Sequence, residues 1–404
     1  MAQATLLAQA EALAGEMTAL RRAVHAEPEL GLHTPRTRAK IRSALAHLPL
    51  TWREGPSTSG LVAVLQGTAS LMGETPRRVL LRGDMDALPM PEETGLAFAS
   101  TKPGVMHACG HDAHVAMLAG AAELLCARAG HLAGEVLLMF QPGEEGYHGA
   151  RHMLDDGLLD PLPDAAFALH VMPNARHGQV AGRSGALMAA ADQIDIIVEG
   201  RGGHASMPHQ TLDPVPVACE IVMALQALVT RQFDAHDPVI VTITRIDAGT
   251  AHNVIANRAS LCGTMRCLSA ANRTRLHKAI IRLAAGIAGA HDLDAKVTIT
   301  PGFPVTMCDP RAVDCGETVA RELFGADAFQ RLASPIMGAE DFSYVLEKAP
   351  GAMFFLGAAP EGDDWAACCG IHSTRMMLDE AVLPRGAALL AGLAERFLAR
   401  GFGA

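Results

Sequence analysis

Residues 107–114 read His-Ala-Cys-Gly-His-Asp-Ala-His, which sets three imidazoles, a thiol and a carboxylate in one short stretch. No other feature narrows the possible folds so far, because donors crowd together in this way where a loop wraps a cation. Cys109 and His111 stand two residues apart, so both can face one ion only from a tight loop, whereas a helix would turn them away from each other. Gly110 between them permits the sharp fold. Apolar side chains then recur at helical intervals over residues 112–127, and Asp112 is expected as the N-cap of that helix. The competing reading is a polar capping loop beside a buried thiol.

Further ligands are sought at strand ends, since open α/β sheets place their ligands outside the carboxyl ends of the strands. Apolar runs at 61–65 and 79–82, bounded by Gly, Pro and Thr, are expected as buried strands. The second leads into Gly83-Asp-Met-Asp-Ala-Leu-Pro89, where Asp86 either orients a metal-bound histidine or stabilises the turn. A strand at 135–140 leads into Gln141-Pro-Gly-Glu-Glu-Gly146. Adjacent carboxylates are ordinarily a solvated pair, but at the end of a buried strand the repulsion between Glu144 and Glu145 calls for a cation. One of them can ligate while the other reaches a water. A strand at 165–171 carries His170 at its edge. Alone this would be a satisfied core histidine, but it continues a series of strand ends that offer polar groups.

With 404 residues the chain is too long for one ordinary core, and two domains are expected. The texture changes near residue 184. A strand at 192–199, a helix at 213–231, strands at 238–246 and 259–267, a helix at 272–290 and a strand at 293–300 follow. The order βαββαβ is the ferredoxin-like split arrangement, so residues 184–300 read as an insert between 1–183 and 301–404. Its first loop, Gly200-Arg-Gly-Gly-His-Ala-Ser-Met-Pro208, carries His204 and lacks the spacing of a phosphate loop. Beyond the insert, Glu340 and Asp341 are expected to cap a helix as first-turn acids. A strand at 352–356 precedes His372 and a final amphipathic helix.

A net charge of -10 without blocks of like charge argues against nucleic acid and against an acidic membrane surface as partners. No apolar run is expected to span a bilayer. Nine scattered cysteines lack a framework spacing, and an odd number of them suggests reduced thiols and a cytoplasmic location.

Cys109, His111, Glu145, His170 and His372 are the candidate ligands. One catalytic zinc commonly takes three protein ligands, so five suggest two divalent cations. The mixed donors suit zinc, manganese, nickel or cobalt better than magnesium or calcium. Glu144 would then take the proton of an attacking water, and His204, should the insert close over the site, would supply a hydrogen bond to the oxyanion.

Taken together, the Arg-Gly-Asp-Met-Asp-Ala-Leu-Pro, His-Ala-Cys-Gly-His-Asp-Ala-His, Gln-Pro-Gly-Glu-Glu-Gly, Gly-Gly-His-Ala-Ser-Met-Pro, Ala-His-Asn-Val-Ile and Gly-Ala-Glu-Asp-Phe runs and the late His-Ser form a pattern. It resembles the aminoacylase and carboxypeptidase-type di-metal amidohydrolases, within them the hippurate hydrolase and indole-acetyl-amino-acid hydrolase branch. The resemblance implies a zinc-peptidase-like catalytic domain, a mixed sheet flanked by helices, with an inserted ferredoxin-like lid that usually dimerises. It implies a small N-acyl-amino acid as substrate, the same five ligands, Glu144 as base, His204 at the oxyanion, often in the partner subunit's site, and Asn253 at the substrate carboxylate. The sequence departs from this pattern after His372, where Ser-Thr-Arg-Met-Met-Leu-Asp replaces the usual Ser-Pro and aromatic. Only two Trp and two Tyr occur, so an aromatic-lined pocket would depend on Phe and Met.

Overall fold

The computed structural model describes residues 5–69, 75–362 and 364–403. Helices α1 (Leu6–Ala12), α2 (Ala14–His25) and α3 (Pro35–Ala44) precede strands β1 (Thr51–Glu54), β2 (Leu61–Gln66) and β3 (Arg77–Asp84). The chain continues through α4 (His111–Ala127), β4 (Gly134–Gln141), α5 (Gly149–Asp155), β5 (Ala165–Met172) and β6 (Val180–Gly182). After β7 (Gly185–Met188) come β8 (Ala190–Glu199), β9 (Gly203–His204), α6 (Pro214–Gln232), β10 (Val239–Ala248) and β11 (Val254–Ile255). Next are β12 (Arg258–Cys267), α7 (Ala270–Ala290), β13 (Asp294–Pro301) and β14 (Thr306–Cys308). The last elements are α8 (Pro310–Phe324), β15 (Phe329–Arg331), α9 (Ser343–Leu346), β16 (Gly351–Gly357) and α10 (Leu383–Arg400). The chain divides into two units, one of Met1–Leu187, Met307–Ser334 and Asp341–Ala404, the other of Met188–Thr306 and Pro335–Glu340.

The first unit is built on an eight-stranded mixed sheet, in the order β1-β2-β4-β3-β5-β16-β6-β15. Its centre is parallel, with β3 between β4 and β5, and β16 beyond β5. These strands are continuous apolar runs because helices cover the sheet. Val79, Leu80 and Leu81, Val136 to Phe140, and Phe167 to Leu169 are all buried. Ala-rich α4 is buried nearly all round, packed against α10, α2 and β3, which explains why its apolar pattern has so little polar relief. Parallel neighbours bring the carboxyl ends of β4, β3 and β5 to one edge, where the polar residues of the sequence motifs collect.

In the second unit the antiparallel order is β10-β12-β8-β13, with α6 and α7 packed on the sheet. This is the ferredoxin-like arrangement read from the element order. Along β8, Ile194, Ile196 and Val198 are buried and alternate with more exposed positions. The expectation that no apolar run is long enough to span a bilayer is corrected by α6, which is long and apolar enough to do so by length and composition alone. The helix is nevertheless two-faced. Val217, Ala218, Ile221, Leu225 and Leu228 are buried, while Glu220 and Arg231 are exposed. Strands β9 and β11 form a separate short pair, Val254 opposite His204.

Candidate metal centre

The cysteine loop folds as its glycine allows. Gly110 adopts φ 87°, the left-handed region, and a Cβ on it would lie 2.4 Å from Val171 Cγ2, so both the turn and the close approach to β5 require glycine. Gly110 is itself the N-cap of α4. Asp112 is therefore not the cap that the sequence suggested. It is fully buried and accepts hydrogen bonds from Arg21 Nε at 2.9 Å and from His25 Nδ1 at 2.9 Å. Burial would raise its carboxyl, but Arg21 and His25 hold it far below the usual range. His107, the first imidazole of the motif, is buried with neither ring nitrogen hydrogen-bonded, and burial pushes it down to about 3. It sits 6.1 Å from the His25 ring, as packing behind the loop.

Two imidazoles are fixed in the tautomer a metal needs. His111 Nδ1 lies 2.8 Å from the carbonyl oxygen of Asp86, and His170 Nδ1 lies 2.7 Å from that of Val171. A carbonyl only accepts, so each Nδ1 carries a proton, and in the neutral ring Nε2 is then the nitrogen whose lone pair a metal can take. His170 Nε2 lies 3.4 Å from Cys109 Sγ. Among the described residues, His111 Nε2 is buried with no hydrogen-bond partner, as a nitrogen offered to a metal would be. Cys109, His111 and His170 offer donor atoms within 4.8 Å of one another, and so do Cys109, Glu145 and His372, and His111, Glu144 and Glu145. The five expected ligands and Glu144 thus converge, and Cys109 belongs to two of these groups. Sulfur, nitrogen and carboxylate oxygen donors of this kind fit divalent transition metals.

Asp86 serves both of the roles the sequence left open. Its carbonyl takes His111 Nδ1 at 2.8 Å, with its carboxylate Oδ1 3.6 Å from the same nitrogen. The carboxylate accepts the backbone N–H of Glu144 at 2.9 Å and of Glu145 at 3.1 Å, one on each oxygen, and so fixes the turn that presents the two acids.

The proton affinities follow from burial and crowding. Burial would lower His111, but Asp84 and Cys109 beside it hold it well above its ordinary value. Burial, helped by His114, keeps His170 well below. The Cys109 thiol is pushed up by burial against the pull of His111. Hydrogen bonds to Cys109 and Glu145 drive His372 up to about 10, and its Nε2 lies 3.3 Å from Glu145 Oε1. Glu145, which burial would raise, is lowered by His372 and His111.

His372 has φ 61°, unusual for a non-glycine residue, and its N–H donates to the carbonyl of Ala108 at 2.8 Å. The departure noted after it has a structural counterpart. Thr374 accepts the N–H of Glu93 on its carbonyl at 2.7 Å and donates its hydroxyl to Glu93 Oε2 at 2.8 Å. The loop is therefore tied to Glu93 by one backbone and one side-chain bond.

Sequence reasoning missed two residues beneath the cluster, Asp84 and His114. Asp84 is fully buried, 2.5 Å from Arg82 Nη1 and 2.5 Å from His114 Nδ1. Burial would raise its carboxyl, but Arg82, His111 and His114 hold it well below the usual range. His114 Nε2 accepts the N–H of Val171 at 2.9 Å. Strands β3 and β5 pair only as far as Arg82 opposite Ala168, so His114 takes over the next stretch of β5 and steadies the residue beside His170. The available signal was a histidine one helical turn after His111 in a largely apolar helix. Asp341, expected as a first-turn acid, is corrected likewise. The N-cap of α9 is Phe342, without a side-chain cap, and Asp341 is buried, accepting from Arg82 Nη2 at 3.2 Å, Gln141 Nε2 at 2.7 Å and the N–H of Ala150 at 2.9 Å.

In the second unit His204 and Asn253 come together. His204 is exposed on β9, and the N–H of Ala205 donates to the Asn253 carbonyl at 3.0 Å.

Comparison with known proteins gives this geometry a family. Residues 80–396 match the model of peptidase family M20/M25/M40. The chain is 38% identical to IAA-amino acid hydrolase ILR1-like 2 of Arabidopsis thaliana over 95% of its length and 85% of that protein. It is 35% identical to the hippurate hydrolase of Campylobacter jejuni, covering 96% of this chain and 97% of that one. A dinuclear metal-binding peptidase of the M20 family from Bacillus subtilis superposes with a TM-score of 0.81 at 31% identity, over 96% of this chain and 99% of that one.

Proposed function

The chain belongs to peptidase family M20/M25/M40, and on that premise we propose that it hydrolyses the amide bond of N-acyl-amino acids to a carboxylic acid and a free amino acid. The observation that carries this reading is the convergence of Cys109, His111, Glu145, His170 and His372 beside Glu144, with two imidazole lone pairs held in place by backbone carbonyls. His111, His170 and Cys109 would hold one divalent cation, and Glu145, His372 and Cys109 the other. A bound pair of zinc, manganese, nickel or cobalt ions supplies Lewis acidity, which polarises a carbonyl and acidifies water.

The protein's own residues do the rest. Glu144, buried and presented by a turn fixed on Asp86, takes the proton from the attacking water and returns it to the leaving nitrogen. His204 donates a hydrogen bond to the oxyanion, and Asn253 binds the substrate carboxylate. These two roles are supported by the resemblance and by the contact that sets Asn253 beside the His204 strand, the Ala205 N–H donating to the Asn253 carbonyl. The reaction is tested by loading the protein with metal and offering acetyl-, benzoyl- and indole-acetyl-amino acids beside unblocked dipeptides. Turnover of the acylated set is expected. Dipeptides cleaved faster would point to a dipeptidase or carboxypeptidase, and no turnover at all to a binding protein.

The active assembly is proposed to be a homodimer in which His204 serves the partner's site. The support is the resemblance, together with β10, a ten-residue strand at the edge of its sheet with Ile240 and Ile246 exposed. Inactive His204→Ala and Glu144→Gln chains, mixed and allowed to exchange, should regain roughly a quarter of full activity, since half the dimers are mixed and each holds one intact site. No recovery in verified mixed dimers would place His204 in its own subunit's site.

A further inference from the structure

We propose that Ser206 is a positioning residue for His204, fixing its imidazole as the Nε2–H tautomer so that the ring offers a donor to the substrate's carbonyl oxygen. The inference rests on the reading that His204 meets the oxyanion. A neutral imidazole can carry its proton on either nitrogen, and only one choice gives a donor at the outer nitrogen.

The choice is made locally. The backbone N–H of Ser206 donates to His204 Nδ1 at 3.2 Å, and Ser206 Oγ stands 2.8 Å from the same nitrogen. A backbone N–H has no lone pair, so this longer contact favours an accepting Nδ1 and a proton on Nε2, and the choice is held by the hydroxyl 2.8 Å away. The hydroxyl can donate to Nδ1 as a second, shorter bond.

The backbone around the pair is held as well. Met207 N–H donates to the His204 carbonyl at 2.8 Å, closing the turn, while His204 pairs with Val254 across β9 and β11. The ring therefore cannot turn its Nδ1 away without breaking contacts inside its own loop. With its lone pair occupied, His204 is suited to stabilise developing negative charge and unsuited to act as a base or metal ligand. A histidine for either of those tasks presents a lone pair, as His111 and His170 do through their opposite arrangement. The sequence already contained this device as His-Ala-Ser, a hydroxyl two residues after the imidazole.

The test uses the metal-loaded full chain labelled with 15N-histidine. The His204 signals are assigned by their loss in His204→Gln, and long-range proton–nitrogen correlation reads the tautomer directly. Wild type is expected to show a protonated Nε2 and an unprotonated Nδ1. Ser206→Ala, which keeps the longer backbone N–H contact but loses the shorter hydroxyl bond, should weaken the bias and shift His204 toward a tautomer mixture, lowering kcat by about three- to tenfold, the scale of one hydrogen bond, with KM and metal content little changed. Ser206→Thr, which keeps both donors, should restore both the spectrum and kcat.

An unchanged tautomer in Ser206→Ala overturns the proposal, whether or not kcat falls, because the loss would then be structural. If His204→Gln turns over at the wild-type rate, the oxyanion role of His204 fails instead. That result is distinguishable, since the spectrum reports the tautomer independently of activity.

Discussion

Glu144→Gln is expected to lower kcat by roughly a hundred- to ten-thousandfold, the usual span of a general base, while the protein still binds its full complement of metal. The amide is nearly isosteric with the carboxylate, and the turn presenting it is held through the backbone N–H of Glu144 and Glu145 on Asp86, which the substitution leaves alone. Only the capacity to take and return a proton is removed. KM should move little, because Glu144 is assigned no binding role. Steady-state kinetics together with elemental analysis separates the outcomes. A variant with near-normal kcat removes Glu144 from the reaction, and one that has lost metal shows that it ligates rather than shuttles protons.

Stripping the metal is expected to abolish turnover, and returning zinc, manganese, nickel or cobalt to restore it to differing extents. The proton affinities at the site add a sign. His372, pushed up to about 10, and the Cys109 thiol, raised by burial, both hold protons at neutral pH, and a cation must displace them. Metal affinity should therefore rise with pH, by at least about tenfold per unit below pH 9 where one such proton is lost. Calorimetry in buffers of different ionisation heat should find protons released on binding. An affinity independent of pH would contradict these assignments. Activity that survives chelation but is destroyed by thiol alkylation would instead make Cys109 a nucleophile.

The sequence made the candidate ligands legible because they sit at strand ends or in loops, where a polar residue beside an apolar run has few structural reasons to exist. Glu144, Glu145 and His170 were readable in that way, and the cysteine motif by its density. Asp112 and Asp341 were misread for a common reason. An acid near a helix start looks the same whether it caps the helix or pairs with a buried arginine, and the arginines, Arg21 and Arg82, lie 91 and 259 residues away. Local rules cannot see a partner at that distance. Helix α6 failed differently. Its composition suits a membrane, and only the arrangement of Val217, Ile221, Leu225 and Leu228 on one face reveals a sheet beneath it.

Asp86 moors two functions to a single residue. Its carbonyl sets the angle of one ligand's ring while its two carboxylate oxygens anchor the peptide that carries the proton acceptor. Any shift of Asp86 would move the His111 ring and the Glu144 peptide together, so the two tasks proposed for them are geometrically linked through one residue.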